Sequence, residues 1–419
     1  MKLPGLNLQI LLAAVIGLGL GLLFQMLGED SRTVVVGLYA SDLVGGVFVD
    51  LLKMILIPLV FSSIAVGIAN LQGHGQMGRV WKLALAYFVL TMVIAVFMAM
   101  LFSNIFEPGE GLHVDMFAGA MHQFHVEQMT LPQFFADFLG RLFVNPFAAF
   151  AQGNVLAVVV FALFVGIALV LGGERYRHIH QLLQEFLELN LRIVGWVMLI
   201  APLGIMALLI KLAATQDLGM FATLGKFVAI VLGTTLLHGL LVLPLLLYLV
   251  TRVTPLAFFR GAREALITAM ATSSSAATLP VTLRCVEQNL GVKRDVAGFV
   301  VPLGATINMD GSALFDAAAA LFIANLVGIE LNLIQQAVVF MTAMIAAMGA
   351  PGIPSAGMVT MVMVLQAVGL PAEAIAILLP IDRALDTFRT AVNVEGDMVG
   401  SLIVDKLVDE EPATTGRTT

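Results

Sequence analysis

The chain has 419 residues, of which 60% are hydrophobic and 12% charged, and its mean hydropathy is +1.00. A soluble domain carries about 25% charged residues, so this composition excludes an ordinary soluble protein and indicates an integral membrane protein. The net charge of −7 argues against a nucleic-acid binder, and the single cysteine, Cys285, excludes an internal disulfide or a cysteine-rich metal site.

A spanning helix needs roughly 20 apolar residues. In chain order, uncharged runs of that size lie at 3–28, 54–78, 83–106, 142–173 and 227–251, with a slightly shorter one at 193–210. They predict six helices. The first run is too long for a signal-peptide core, and no small-residue cleavage motif closes it. The run at 142–173 is long enough to tilt or break. Residues 107–141 are polar and aromatic in patches and predict an extramembrane or interfacial insertion.

The second half is interrupted. Residues 331–372 contain no Asp, Glu, Lys or Arg. As one straight helix they would span roughly 63 Å at about 1.5 Å per residue, twice the ~30 Å hydrocarbon core. The segment must turn back inside the membrane, and GAPGIPSAG (349–357) supplies the break. An earlier segment, 265–283, has the same form around TSSSAATLP (272–280), where serine hydroxyls can satisfy freed backbone groups. Each is followed by a helix with polar residues at its centre, NMDGSALFD (308–316) and DTFRTAVNVEGD (386–397). Two such units in corresponding positions point to an inverted-repeat transporter with its site near mid-membrane.

Lys and Arg in the short loops set the orientation. With a cytoplasmic N-terminus, Arg79, Lys82, Arg175, Arg177, Arg252, Arg260, Arg263, Lys293, Arg294 and Lys406 fall inside. Arg32, Arg141, Lys211 and Lys226 fall outside. The first interrupted segment then enters from the cytoplasm and the second from outside.

On a helix, Asp386, Arg389, Thr390, Asn393 and Asp397 form one stripe, with Glu395 off it and facing a polar interface. An ionisable group in a membrane helix is costly and marks a substrate or ion path. A structural ion pair, Asp386 with Arg389, is the simpler reading, but it leaves Asn393 and Asp397 unexplained. Arg389 suits a carboxylate held by two parallel hydrogen bonds. Asp386 can hold an ammonium, and Thr390 and Asn393 can donate to a second carboxylate. An acidic amino acid satisfies all of these, whereas a plain C4-dicarboxylate leaves Asp386 without its cation. Asn308, Asp310 and Asp397 are hard oxygen ligands for sodium, which unwound carbonyls near Gly304, Thr306 and Gly311 could complete. Gly311 after Asp310 predicts the unwound stretch. A kinked helix with a capping Asp is the plainer alternative there.

SSSAATLP, PLGATINMDGSALF, GAPGIPSAG and DTFRTAVNVEGD resemble the glutamate transporter family of dicarboxylate/amino acid:cation symporters. The resemblance runs over nearly the whole chain and is densest over 265–405. It implies an all-α polytopic membrane protein with eight transmembrane helices, two re-entrant hairpins, inverted repeats, and scaffold and transport domains in a homotrimer. The scaffold would comprise 1–76 and 108–218. The transport part would comprise 77–107 and 219–405, moving as an elevator, and 406–419 would form a cytoplasmic tail. The implied function is sodium-driven symport of L-glutamate or L-aspartate, with proton-coupled C4-dicarboxylate symport as the alternative. The implied place is a bacterial inner membrane, with both termini cytoplasmic and lipid around the helices.

By motif, the resemblance implies substrate contacts from Ser274, Ser275, Ser312, Ile353, Gly357, Asp386, Arg389, Thr390 and Asn393. It implies one sodium site from Gly304, Asn308, Asn393 and Asp397. A second would use carbonyls of Thr306, Met348 and Ala350. A third would use Thr91, Asn308 and Asp310, with the Phe88 carbonyl. Three departures stand out. Archaeal relatives place an Arg where Ser273 stands, animal relatives place one where Thr387 stands, and Met92 occupies a position often held by a hydroxyl residue. Arg383 is a candidate substitute for the missing arginine. Asp316 replaces a neutral residue of archaeal relatives and a Glu of animal ones that is associated with proton co-transport. Asp316 is therefore a hypothetical proton carrier, and a carboxylate bonded to a neighbouring helix is the simpler reading. Lys53 is expected to snorkel to an interface, and the histidines show no metal-ligand spacing.

An intramembrane aspartyl protease would need two carboxylates sharing a proton, a pattern absent where Asp386 has Arg389 one turn away. A pure channel would not need a carboxylate clamp beside an ammonium site. No phosphate-binding GxxxxGK[ST] motif occurs.

Overall fold

The computed structural model describes residues 6–28, 31–69, 78–110, 140, 143–152, 154–215, 218–350, 352, 356–371 and 374–409. Among them every regular element is helical. The first six helices are α1 (Leu6–Leu27), α2 (Arg32–Ala69), α3 (Gly78–Phe106), α4 (Pro146–Gln152), α5 (Val155–Gly172) and α6 (Arg177–Thr215). Next, α7 (Leu218–Leu237) passes through a π turn (His238–Val242) into α8 (Leu243–Thr251). Then come α9 (Pro255–Thr272), α10 (Ser275–Arg284), α11 (Arg294–Ile307) and α12 (Asp310–Leu326). The chain ends with α13 (Leu333–Met348), α14 (Ala356–Ala367) and α15 (Ile375–Asp409).

Each uncharged run seeds a helix, and several helices outgrow their runs, α2 and α6 by the most. α2 begins at Arg32 and α6 at Arg177, because backbone hydrogen bonding continues through charged residues once the apolar part is helical. The run at 142–173 breaks into α4 and α5, and Asn154 caps α5 by accepting from the Ala157 N–H at 3.1 Å. Among the described residues three stretches are long and apolar enough to cross a membrane: Arg79–Phe106, Ala222–Thr251 and Arg294–Leu326. A further pair, Val160–Val197 with Leu199–Thr215, passes together with a 49° bend. Most of the expected 107–141 insertion lies outside the described residues, as do Ile353 and the tail beyond Asp409.

Helices α1, α2, α5 and α6 pack mainly on one another. Glycines permit the close approach: a Cβ on Gly17 would meet the Met206 carbonyl at 2.7 Å, and one on Gly21 would meet the Ala213 Cβ at 2.6 Å. The second group comprises α3 and α7 to α15. Its centre is α12, which is mostly apolar around its whole circumference and is buried over nearly every residue.

Both interrupted segments bend back. α9 ends at Ser273 in the left-handed region (φ 48°), and Ser274 restarts the chain as the cap of α10. α13 opens on a capping box of Asn332 and Gln335, ends at Met348, and packs against α14. The helix α11–α12 is broken at Asn308 and Met309. The predicted unwound stretch is therefore present but lies just before Asp310. Gly311 is helical, because a Cβ there would meet the Arg389 carbonyl at 2.6 Å; the glycine serves close packing on α15.

Candidate functional site

Asp386, Arg389, Thr390, Asn393 and Asp397 lie on one face of α15 and are all buried. Arg389 Nη2 donates to Asp382 Oδ1 at 2.6 Å and to Asp386 Oδ1 at 3.0 Å. The guanidinium carbon lies 3.9 Å from the centre of the Phe315 ring on α12. Nη1 and Nε have no hydrogen-bond partner among the described residues. Gly357, in the first turn of α14, lies against the same group, and a Cβ there would sit 3.1 Å from Nη1. The simpler ion-pair reading of Asp386 and Arg389 thus exists as geometry, yet it occupies one nitrogen of the fork. Arg383 approaches the other side of Asp386, with Nη1 3.5 Å from Oδ2. Asp382 is absent from the sequence-derived set. Its signal was the spacing, since seven residues before Arg389 is two turns along the same stripe.

Ser274 Oγ accepts from the Ala277 N–H at 3.1 Å and donates to the Gly352 carbonyl at 2.6 Å. The Ala276 N–H donates to that carbonyl at 3.1 Å. A Cβ on Gly352 would lie 3.5 Å from the Ser275 Cβ. The tips of the two interrupted segments therefore meet. Ser273 Oγ lies 3.4 Å from Thr387 Oγ1. The two positions at which the resemblance implies a second arginine are thus neighbours in space.

Around the break in α11–α12, Asn308 Nδ2 donates to the Asn393 carbonyl and to Asp397 Oδ1, both at 3.0 Å. Gly304 sits so close that a Cβ would meet Asp397 Oδ1 at 2.3 Å. Gly304, Asn308, Asn393 and Asp397 are thus gathered, and Asn308 Oδ1 is buried without a partner. Oxygen donors with an orphaned acceptor suit a hard cation. Asn393 Oδ1 accepts from the Gly311 N–H at 2.8 Å, and its Nδ2 reaches Ser312 Oγ at 3.5 Å.

A second cluster joins α3 to α12. Thr91 Oγ1 donates to the Phe88 carbonyl at 3.2 Å and contacts Asp310 Oδ1 at 3.3 Å. Asn308 turns its amide nitrogen to the Asp397 cluster instead. His238 Nε2 lies 2.9 Å from Asp310 Oδ2, with both side chains buried. His238 escaped the spacing test for ligands because its partner is on another helix; its signal was a histidine inside an uncharged run. Met92 is fully buried beside these groups' helix face. Glu395 is buried too, and its carboxylate lies against Gly239 of the π turn, where a Cβ would be 3.0 Å from Oε2. The interface it faces is therefore another helix's backbone.

Thr306 lies in the last turn of α11, Met348 ends α13, and Ala350 follows shortly after. Ala305 O would lie 2.9 Å from a Cβ on Gly352, so the two helix ends converge on the linker. Asp316 is wholly buried, and the Thr360 hydroxyl is the polar group that acts on its carboxylate most directly. Arg389 and Asp382 lie within electrostatic reach of it.

Polar groups buried this deep among apolar helices serve a cargo that crosses the membrane, which places the chain among multi-pass transporters rather than enzymes. The chain belongs to the sodium:dicarboxylate symporter family, whose pattern it matches over residues 6–407. It is 33% identical over 453 residues to excitatory amino acid transporter 3 of Mus musculus, covering 97% of this chain and 86% of that protein. It is 36% identical over 439 residues to excitatory amino acid transporter 4 of Mus musculus, covering 88% and 77%. It is also 35% identical over 438 residues to neutral amino acid transporter B(0) of Oryctolagus cuniculus, covering 96% and 81%.

Proposed function

We propose that this protein is a sodium-driven symporter of acidic amino acids. The observation that carries the reading is Arg389, buried beside Gly357 with Nη1 and Nε unpartnered among the described residues. A buried guanidinium with spare donors favours a substrate carboxylate as the missing acceptor. Asp386 would hold the amino group. Ser274, Ser275, Ser312, Ile353, Thr390 and Asn393 would complete the substrate shell. Sodium would bind at Gly304, Asn308, Asn393 and Asp397, and at Phe88, Thr91 and Asp310. Carbonyls of Thr306, Met348 and Ala350 would hold another ion. Asp316 would carry a proton, since an ionised carboxylate is costly to bury among apolar helices.

In this reading α9–α10 and α13–α14 are the two re-entrant hairpins among eight spanning helices. Residues 77–107 and 219–405 move as an elevator against a trimeric scaffold of 1–76 and 108–218. The proximity of Arg79 Nη2 to the Leu407 carbonyl, 3.0 Å, supports a common cytoplasmic end for these basic residues. The bacterial inner membrane belongs to the same proposal.

One observation favours a second reading, proton-coupled C4-dicarboxylate symport. Asp386 already has Arg389 and Arg383 as cations, so it does not require a substrate ammonium. Uptake of labelled L-glutamate, L-aspartate and succinate into proteoliposomes under an imposed sodium gradient separates the two. The expected result is sodium-dependent uptake of the amino acids. Arg389→Ala and Arg389→Lys should each lower it by at least about 100-fold, roughly 2.7 kcal/mol, because lysine keeps the charge and loses the fork. Succinate uptake driven by a proton gradient alone would establish the second reading instead.

A further inference from the structure

A groove of about 460 Å³ lies between α3 and α7. Phe102, Phe106, Ile230, Gly233 and Leu237 line it, and Lys226 stands at one end. The rings of Phe102 and Phe106 are parallel, with centroids 6.1 Å apart, and make one wall. A Cβ on Gly233 would meet nothing within 4 Å, so the glycine leaves depth there. The floor offers no polar group to an occupant. Thr234 is buried, and its hydroxyl donates to the Ile230 and Val231 carbonyls of its own helix at 2.7 and 3.0 Å.

Both helices belong to stretches long and apolar enough to cross a membrane, so the bilayer supplies what fills the groove. From Lys226 to Leu237, α7 rises about 16 Å at ~1.5 Å per residue. That is one leaflet, about half of the ~30 Å hydrocarbon core. Lys226 lies in the second turn of the span Ala222–Thr251, and Leu237 lies at its middle. The groove therefore runs from headgroup level to the midplane, as an acyl chain does. At headgroup level Lys226 is exposed and within electrostatic reach of Glu107, which follows Phe106 at the end of α3. Glu110 and Glu330 also act on Glu107. A cation beside carboxylates complements a headgroup carrying both a phosphate and an ammonium. The surplus of carboxylates disfavours a headgroup that is only negative.

We propose that the α3–α7 groove binds one phosphatidylethanolamine molecule. An acyl chain lies along Phe102, Phe106, Gly233 and Leu237, the phosphate meets Lys226, and the ammonium meets Glu107. A primary ammonium donates hydrogen bonds to a carboxylate, which a choline group cannot do. The groove shares no residue with the Arg389 stripe or the Asp397 and Asp310 clusters.

The test is native mass spectrometry of the purified full chain titrated with phosphatidylethanolamine, phosphatidylcholine and phosphatidylglycerol of matched acyl chains. One phosphatidylethanolamine per chain should be retained severalfold better than either of the others. Gly233→Trp fills the groove and should lower that retention by about tenfold or more. Lys226→Gln should weaken retention of phosphatidylethanolamine and phosphatidylcholine alike. Glu107→Gln should erase the preference between those two. Helical content by circular dichroism, unchanged in each variant, establishes that they are folded. In membranes, a benzophenone amino acid in place of Gly233 should cross-link to lipid. Equal retention of the three lipids overturns the proposal, as does retention unchanged by Gly233→Trp. Cross-linking to residues 111–139 or to a second copy of the chain, in place of lipid, overturns it too.

Discussion

Arg389 is fully buried, yet two of its nitrogens bond nothing among the described residues. Such a residue is expensive unless something else completes it, and Asp382 and Asp386 complete only one nitrogen. Asp316 is a buried acid on the helix whose Phe315 ring underlies the guanidinium. At this scale the prediction concerns protons. If Asp316 carries one during the cycle, Asp316→Asn should flatten the dependence of uptake on pH between about 5 and 8, the range in which such coupling is read. Sodium dependence should persist. A variant whose pH profile overlays that of the natural protein would remove Asp316 from proton coupling and leave it a structural group.

The elements show why the polar residues can coexist with an apolar core. The break at Asn308 and Met309 frees backbone groups and turns the Asn308 amide toward α15. Gly304, one turn earlier, has no room for a side chain because Asp397 occupies the space. Adding a methyl group must displace that carboxylate, at a cost of ~1–3 kcal/mol for an overpacked site. Gly304→Ala should therefore raise the sodium concentration for half-maximal uptake by about tenfold or more, with normal amounts of folded protein in the membrane. An unchanged sodium requirement would mean that Asp397 is not an ion ligand. The family resemblance named the residues of the Asp397 and Thr91 clusters beforehand, and the structure brings them close together. The contacts of His238 and Glu395 were not legible, because each meets its neighbour across helices, and a π turn decides which way that part of α7–α8 faces.

Across the whole molecule, the decisive contact joins Ser274 and Ala276 to Gly352, which closes the two interrupted segments on each other. The Ser275 and Gly352 positions would place Cβ atoms 3.5 Å apart, within the range that a disulfide bridges. Ser275→Cys with Gly352→Cys, in a Cys285→Ala background, should form a cross-link on oxidation and stop uptake, with recovery under reductant. Oxidised protein that still transports at the full rate would show that the two tips need not separate.

The sequence by itself determined that this is a helical membrane protein, where most helices lie, and that a charged stripe sits on the last of them. Hydrophobic runs and helical periodicity are local, so they survive without knowledge of neighbours. It also placed the breaks, since serine, glycine and proline act through their own backbone. Only the tertiary structure decided which tips touch, that Ser273 and Thr387 are neighbours, and that Asp310 meets Thr91 and His238. Those facts depend on burial and on contacts between residues up to a hundred or more positions apart, which no spacing along the chain encodes.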